Sequence, residues 1–91
     1  MLKIRFTSKF KKDYKLIKRQ GKSIQKLEQA VAMLRNEEPL PESMRDHELA
    51  GNYHGHRECH PGPDWLLIYR IGHGELTLTA VRTGSHSELF N

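Results

Sequence analysis

Leu2, Ile4 and Phe6 alternate with Lys3 and Arg5 at the start of the chain, the two-residue period of a half-buried strand. Thr7 or Ser8 can then cap a helix, because a short hydroxyl accepts from an orphaned N–H. Phe10, Tyr14 and Ile17 follow on one helical stripe, and Gly21 stops it. Ser23 opens a second helix whose stripe is Ile24, Leu27, Val31 and Leu34, ending near Asn36 ahead of Pro39 and Pro41. So short a connection predicts an antiparallel helical hairpin. Residues 37–53 read as loop and turn, and residues 54–60 as a short strand of poor propensity. Pro61-Gly62-Pro63-Asp64 is a turn. The apolar run Trp65–Ile71 suits a central strand covered on both faces, and Leu76–Arg82 pairs with it through a turn at Gly72-His73-Gly74. After Gly84 only a short tail is expected.

The predicted order is β-α-α-β-β-β: an α+β fold with the helical hairpin on one face of a mainly antiparallel twisted sheet. The opposite face is expected to be open, concave and partly polar. No repeat or linker divides residues 1–91, which read as a single domain.

Composition adds charge. Fifteen Lys and Arg against 11 acidic residues give a net charge of +4. The excess lies at the start, where Lys3, Arg5, Lys9, Lys11, Lys12, Lys15, Lys18, Arg19, Lys22 and Lys26 face the single acid Asp13. Such a field suits a polyanion, nucleic acid above all; for charge alone a merely solvated helix face fits equally well. The lone Cys59 excludes an internal disulfide. No run approaches a membrane span, and MLKIRFTSKFKK lacks the features of a secretory signal, so a cytoplasmic protein with no membrane partner is expected.

The chemistry lies in the C-terminal half: His47 in RDHELAG, His60 and Asp64 in RECHPGPDW, and Arg82 with His86 in VRTGSHSELF. Imidazoles beside a carboxylate and a guanidinium suit proton transfer around a phosphate. Metal-free RNA cleavage needs a base for the 2′-OH, an acid for the leaving 5′ oxygen and a cation for the phosphate; these residues supply all three. Tyr53, Trp65 and Phe90 can offer faces to splayed bases. A second reading is metal binding by His54, His56 and His60, which share one face of a strand, but no paired ligand motif is present and no metal or other cofactor is expected. A third makes the histidines ordinary surface residues and Asp64 a turn former, which fits His73 best and His54 and His56 next. No GxSxG elbow or phosphate-binding glycine loop occurs, and Cys59 and His60, as strand neighbours, point apart.

At these residues the chain resembles the RelE-type toxins of bacterial toxin–antitoxin systems, in particular their YafQ-like branch. The matching stretches are Asp46-His47 with Leu49 and Gly51; Arg57 to His60; Pro63-Asp64-Trp65 with Leu67-Ile68-Tyr69; and Arg82-Thr83-Gly84-Ser85-His86 with Leu89-Phe90. The resemblance implies a metal-independent mRNA endonuclease acting in the ribosomal A site. Its partners would be mRNA, the ribosome and a cognate antitoxin, with operator DNA reached only through that antitoxin. Residues matching His47, His60, Asp64, His86 and Phe90 carry activity in that branch, and Arg82 matches an active-site arginine. The expected roles are His86 as general acid, His60 or Asp64 as base with His47 assisting, Arg82 on the phosphate and Phe90 on the scissile nucleotide. Lys9, Lys11, Lys12, Lys15, Lys18 and Arg19, with Trp65, are the expected RNA contacts. The competing class is a basic module that holds RNA or a partner without cutting, such as a degenerate toxin acting as co-repressor.

Overall fold

The computed structural model describes residues 1–72 and 74–90. Strand β1 (Lys3–Phe6) leads into α1 (Ser8–Arg19), whose first turn is capped by Thr7 Oγ1 accepting from Phe10 N at 3.0 Å. Helix α2 (Ile24–Arg35) follows; Ser23 holds its N-cap position without a side-chain hydrogen bond. Leu2 N donates to Arg35 O (2.8 Å) and Arg35 Nε donates back to Leu2 O (3.0 Å), pinning the end of α2 to the start of β1. Next come β2 (His47–Glu48), β3 (Arg57–Gly62), β4 (Trp65–Gly72), β5 (Thr77–Gly84) and α3 (His86–Phe90).

The sheet order is β1-β5-β4-β3-β2, antiparallel except for the β1–β5 pair. The expected α+β architecture is therefore present, with two additions. Residues 37–53 are not plain loop: they contain one-turn helices at Glu42–Met44 and Gly51–Tyr53 and the edge strand β2. The tail after Gly84 is a helix, opened by reciprocal bonds in which Ser85 N donates to Glu88 Oε1 (2.8 Å) and Glu88 N to Ser85 Oγ (3.2 Å). The third strand starts at Arg57 rather than His54 and runs to Gly62, accommodating Pro61 at an irregularity in its pairing with β4. His73 lies outside the described residues.

Strand β4 is buried on both faces, as its apolar run requires. Trp65, Leu67 and Tyr69 join Phe10, Ile17, Leu27, Ala30 and Leu34 in the core beneath the helices. Leu66 and Ile68 point the other way, against Leu89, Leu49, Tyr53 and Val81. The second face is thus not open as expected. The chain places α3 and the Gly51–Tyr53 turn over its centre because two large aliphatic side chains there would otherwise face water, at a cost of about 1.5–3 kcal/mol each. Polar residues surround this small cluster.

Candidate active site

The pairing register places His47 opposite Glu58, Glu58 opposite Ile68, and Ile68 opposite Arg82. Cross-strand partners share a face, so these residues form one row across four strands on the side away from α1 and α2. Adjacent strands lie about 4.8 Å apart, so Glu58 and Arg82 are separated by about 10 Å across Ile68. His60, two residues along β3 from Glu58, stands on the same face.

Glu58 is the centre of the first group. Its side chain is only 8 % exposed, and Oε1 lies 3.5 Å from His47 Nε2 and 3.3 Å from His60 Nε2. A carboxylate this buried needs charge partners, and the imidazoles provide them. The two rings lie nearly parallel, with centroids 6.2 Å apart. His47 Nδ1 is 2.6 Å from Arg45 O; a carbonyl only accepts, so Nδ1 carries a proton and Nε2 is the nitrogen turned to Glu58. The carboxylate is placed to stabilise positive charge on that ring.

Edge strand β2 has only two residues and is held from the opposite face. Asp46 accepts from Arg57 Nη2 at 3.1 Å and from the Tyr69 hydroxyl. Asp46 raises the Arg57 guanidinium's pKa, and burial followed by the bond to Asp46 raises that of the Tyr69 phenol. Cys59, buried next to this network, has its thiol pushed up to about 12, chiefly by burial and then by the charges of Asp46 and Glu58. It is no nucleophile at neutral pH.

The second group gathers on α3. His86 lies against Phe90 (ring centroids 5.0 Å apart), Phe90 meets Tyr53 edge-on (5.7 Å), and Tyr53 meets His56 likewise (5.8 Å). A hollow of about 510 Å³, lined by Ala50, Asn52, Tyr53, Leu89 and Phe90, opens beside them. Arg82 donates from Nε and Nη2 to Asp13 (2.7 and 3.1 Å). Its pKa is raised first by Asp13 and to a smaller degree by Tyr53, so the guanidinium is a permanent cation at this end of the row. A larger apolar groove of about 660 Å³ lies between α1 and α2, lined by Phe10, Tyr14, Leu27 and Val31. Lys11, Lys15, Glu28 and Arg35 rim it, and none of the candidate histidines, nor Arg82, lines it.

The structure thus brings His47 with His60, and His86 with Phe90, around one small apolar cluster, with Arg82 in the row. Asp64 stands apart: it is exposed, at φ 47° in the two-residue turn from β3 to β4, and among the described residues its carboxylate bonds to neither group. Trp65, expected to meet RNA, is 3 % exposed, donates from Nε1 to Thr83 Oγ1 (2.9 Å) and is overhung by Lys22 Nζ at 5.8 Å. Its ring belongs to the helix-side core and offers no face to a base. Lys9, Lys11, Lys12, Lys15, Lys18 and Arg19 are all exposed along α1. His54, His56 and His60 do not share a strand face, because the chain turns through Gly55 before β3 begins. The set whose ligand atoms do converge, within 4.8 Å of one another, is His47, Glu58 and His60. Glu58 is the functional candidate that sequence reasoning passed over; its signal was the two-residue spacing from His60 on a strand facing His47.

Residues 2–91 match the family model for YafQ, the bacterial toxin of type II toxin–antitoxin systems. Over 88 residues the chain is 38 % identical to the mRNA interferase toxin YafQ of Escherichia coli K12, covering 96 % of this chain and 94 % of the relative. A metal-bound toxin from Helicobacter pylori superposes with a TM-score of 0.93 at 46 % identity, covering 99 % of this chain and all (100 %) of the other. A chain of the E. coli DinJ–YafQ toxin–antitoxin complex superposes with a TM-score of 0.90 at 36 % identity, covering 100 % of each. With the fold, the imidazole group and the match over nearly its whole length in agreement, the chain belongs to the YafQ family of type II toxin–antitoxin toxins.

Proposed function

We propose that this toxin is an endoribonuclease that cuts mRNA held in the ribosomal A site, in the cytoplasm, without a metal cofactor, and that a cognate antitoxin neutralises it and links it to operator DNA. The observation that carries the reading is the contact of Glu58 Oε1 with both His47 and His60 at 3.5 and 3.3 Å, a proton-accepting unit on an otherwise small surface.

The reaction is a transesterification. The unit formed by His47, Glu58 and His60 takes the proton from the 2′-OH, whose oxygen attacks the adjacent phosphorus. The P–O5′ bond breaks, and His86 gives its proton to the departing 5′ oxygen. Products are a 2′,3′-cyclic phosphate and a 5′-hydroxyl, and no water is consumed. Arg82 stabilises the charge on the pentacoordinate phosphorus, the contribution that preorganised cations make in such sites. Phe90 and Tyr53 wall the hollow that receives a nucleobase, replacing Trp65 in that task. Asp64, exposed at the hairpin tip, acts on the bound nucleotide rather than within the histidine unit. The basic face of α1 contacts ribosomal RNA through phosphates.

A relative is metal-bound, and His47, Glu58 and His60 have the donor types that a borderline transition ion takes. In this chemistry such an ion occupies the Nε2 lone pairs that accept the proton, and acts as an inhibitor.

The test is induced expression in bacteria beside the His86→Ala variant, with cleavage mapped on ribosome-bound mRNA. Wild type should arrest growth and leave fragments with the stated ends, and loss of a true acid should lower the rate about 10²–10⁴-fold. Intact mRNA, or equal cleavage by the variant, contradicts the reading and favours a non-catalytic binding module.

A further inference from the structure

The one acidic residue among the ten basic residues of the N-terminal 26 is Asp13, and its carboxylate is spent on the active-site face. Strand β1 pairs with β5 only as far as Phe6 opposite Ala80, yet β5 continues to Gly84. Its free edge is closed from α1: Thr7 Oγ1 donates to Val81 O (2.6 Å) and Asp13 Oδ2 accepts from Thr83 N (3.2 Å). The same carboxylate takes Arg82 Nε and Nη2 in a fork, 2.7 and 3.1 Å long, with the two side chains only 13 % and 21 % exposed. A guanidinium has five donors in one plane. Asp13 occupies the Nε side and one Nη2 hydrogen, which fixes that plane; Tyr53 is also close, and the remaining Nη hydrogens are those left for a phosphate.

We infer that Asp13 is a positioning residue for catalysis: it presents Arg82 to the scissile phosphate and ties the basic helix α1, which would dock on ribosomal RNA, to the reacting centre. The inference rests on the role proposed for Arg82. Free arginine side chains swing through many rotamers, and ordering one during the reaction costs free energy; a fork held in advance avoids that cost. Asp13 touches no substrate and acts only through Arg82.

The experiment is an activity cycle on ribosome-held mRNA with Asp13→Asn, Arg82→Ala and the double variant. Asparagine keeps an acceptor for Thr83 N but loses the charge that holds the fork. Asp13→Asn should lower kcat by at least about 10-fold with KM nearly unchanged, and should add no further loss on the Arg82→Ala background. Wild-type kcat in Asp13→Asn, or losses that multiply in the double variant, overturns the inference while leaving Arg82's own role intact. An Arg82→Ala variant as active as wild type overturns the reading of Arg82 itself, and the inference with it. Should Asp13→Asn not fold, the wild-type protein decides: a slowly exchanging Arg82 Nε–H resonance with a fixed guanidinium plane supports the fork, and a rapidly exchanging, freely rotating one contradicts it.

Discussion

Glu58 Oε1 lies 3.3 Å from His60 Nε2, with the carboxylate nearly buried and the imidazole one-quarter (25 %) exposed. Strand geometry produces this contact, since residues two apart on β3 share a face. Pairing with β2 brings His47 to the other side of the same oxygen at 3.5 Å. Glu58→Gln keeps the shape and removes the charge. Its kcat on ribosome-bound mRNA should fall by about 10²-fold, within the usual range for acid–base groups, with the melting temperature shifted by only a few degrees. A variant with unchanged kcat would show that the carboxylate merely fills space.

Micromolar zinc or copper should inhibit cleavage, and a chelator should restore it. Calorimetry should show that His60→Ala or His47→Ala weakens ion binding, because each removes one of the ligand atoms that lie within 4.8 Å of one another. Stimulation of cleavage by the ion would reverse its assigned role.

Helix α3 is five residues long and cannot persist on propensity alone. Glu88 closes its first turn and also accepts from Gln20 Nε2 at 3.1 Å, tying α3 to the end of α1. Glu88→Ala should misplace His86 and Phe90 and cost about 10- to 100-fold in rate, while Glu88→Gln, which still closes the turn, should recover most of it. The Ser85 N–H, followed by Gln20, holds the Glu88 carboxyl below its usual range. A depressed folded-state pKa contributes stability above the unfolded value near 4.5 that is lost as pH falls through the lower folded value. Resonances of α3 should therefore broaden or shift at acid pH, and this titration should vanish in Glu88→Gln.

Cys59 titrates in the other direction. Its folded thiol sits near 12 against an ordinary 9.0, so the stability it contributes is complete below pH 9.0 and declines as pH rises toward 12. At pH 8 the native protein should resist thiol alkylation and the unfolded protein should react at once; rapid labelling of the native state would contradict the burial of this side chain. In alkaline melts Cys59→Ser or Cys59→Ala should flatten that part of the profile, although Tyr69, also raised by burial, contributes above its ordinary 10.0.

Strands β1, β4 and β5 and both long helices were legible because their signals are local: alternation, a seven-residue apolar run and two stripes closed by Gly21 and Asn36. Strand β2 was invisible, since two residues carry no period and His47 becomes a strand residue only by pairing with Glu58. Helix α3 was missed for a related reason: its Ser85–Glu88 signature precedes five residues whose only buried side chain is Leu89, and burial depends on the distant Leu66 and Ile68. The apolar run of β4 also conceals which residues face which way. Trp65 was read as a base-stacking surface, whereas the hairpin register turns it under the helices. His47, His60, Asp64, Arg82, His86 and Phe90 stand out as candidates by chemistry and resemblance; Glu58 and Asp13 do not, because their contacts come from partners on other elements.

In the proposed mechanism this sheet face breaks RNA by directing the substrate's own 2′-oxygen at the neighbouring phosphorus. The most direct measurement places an mRNA with a single 2′-deoxy nucleotide at the mapped cleavage position in the ribosomal A site. Cutting there should be abolished while the all-ribose message yields a cyclic phosphate end; cleavage of the deoxy message at the same bond would rule out attack by the 2′-oxygen.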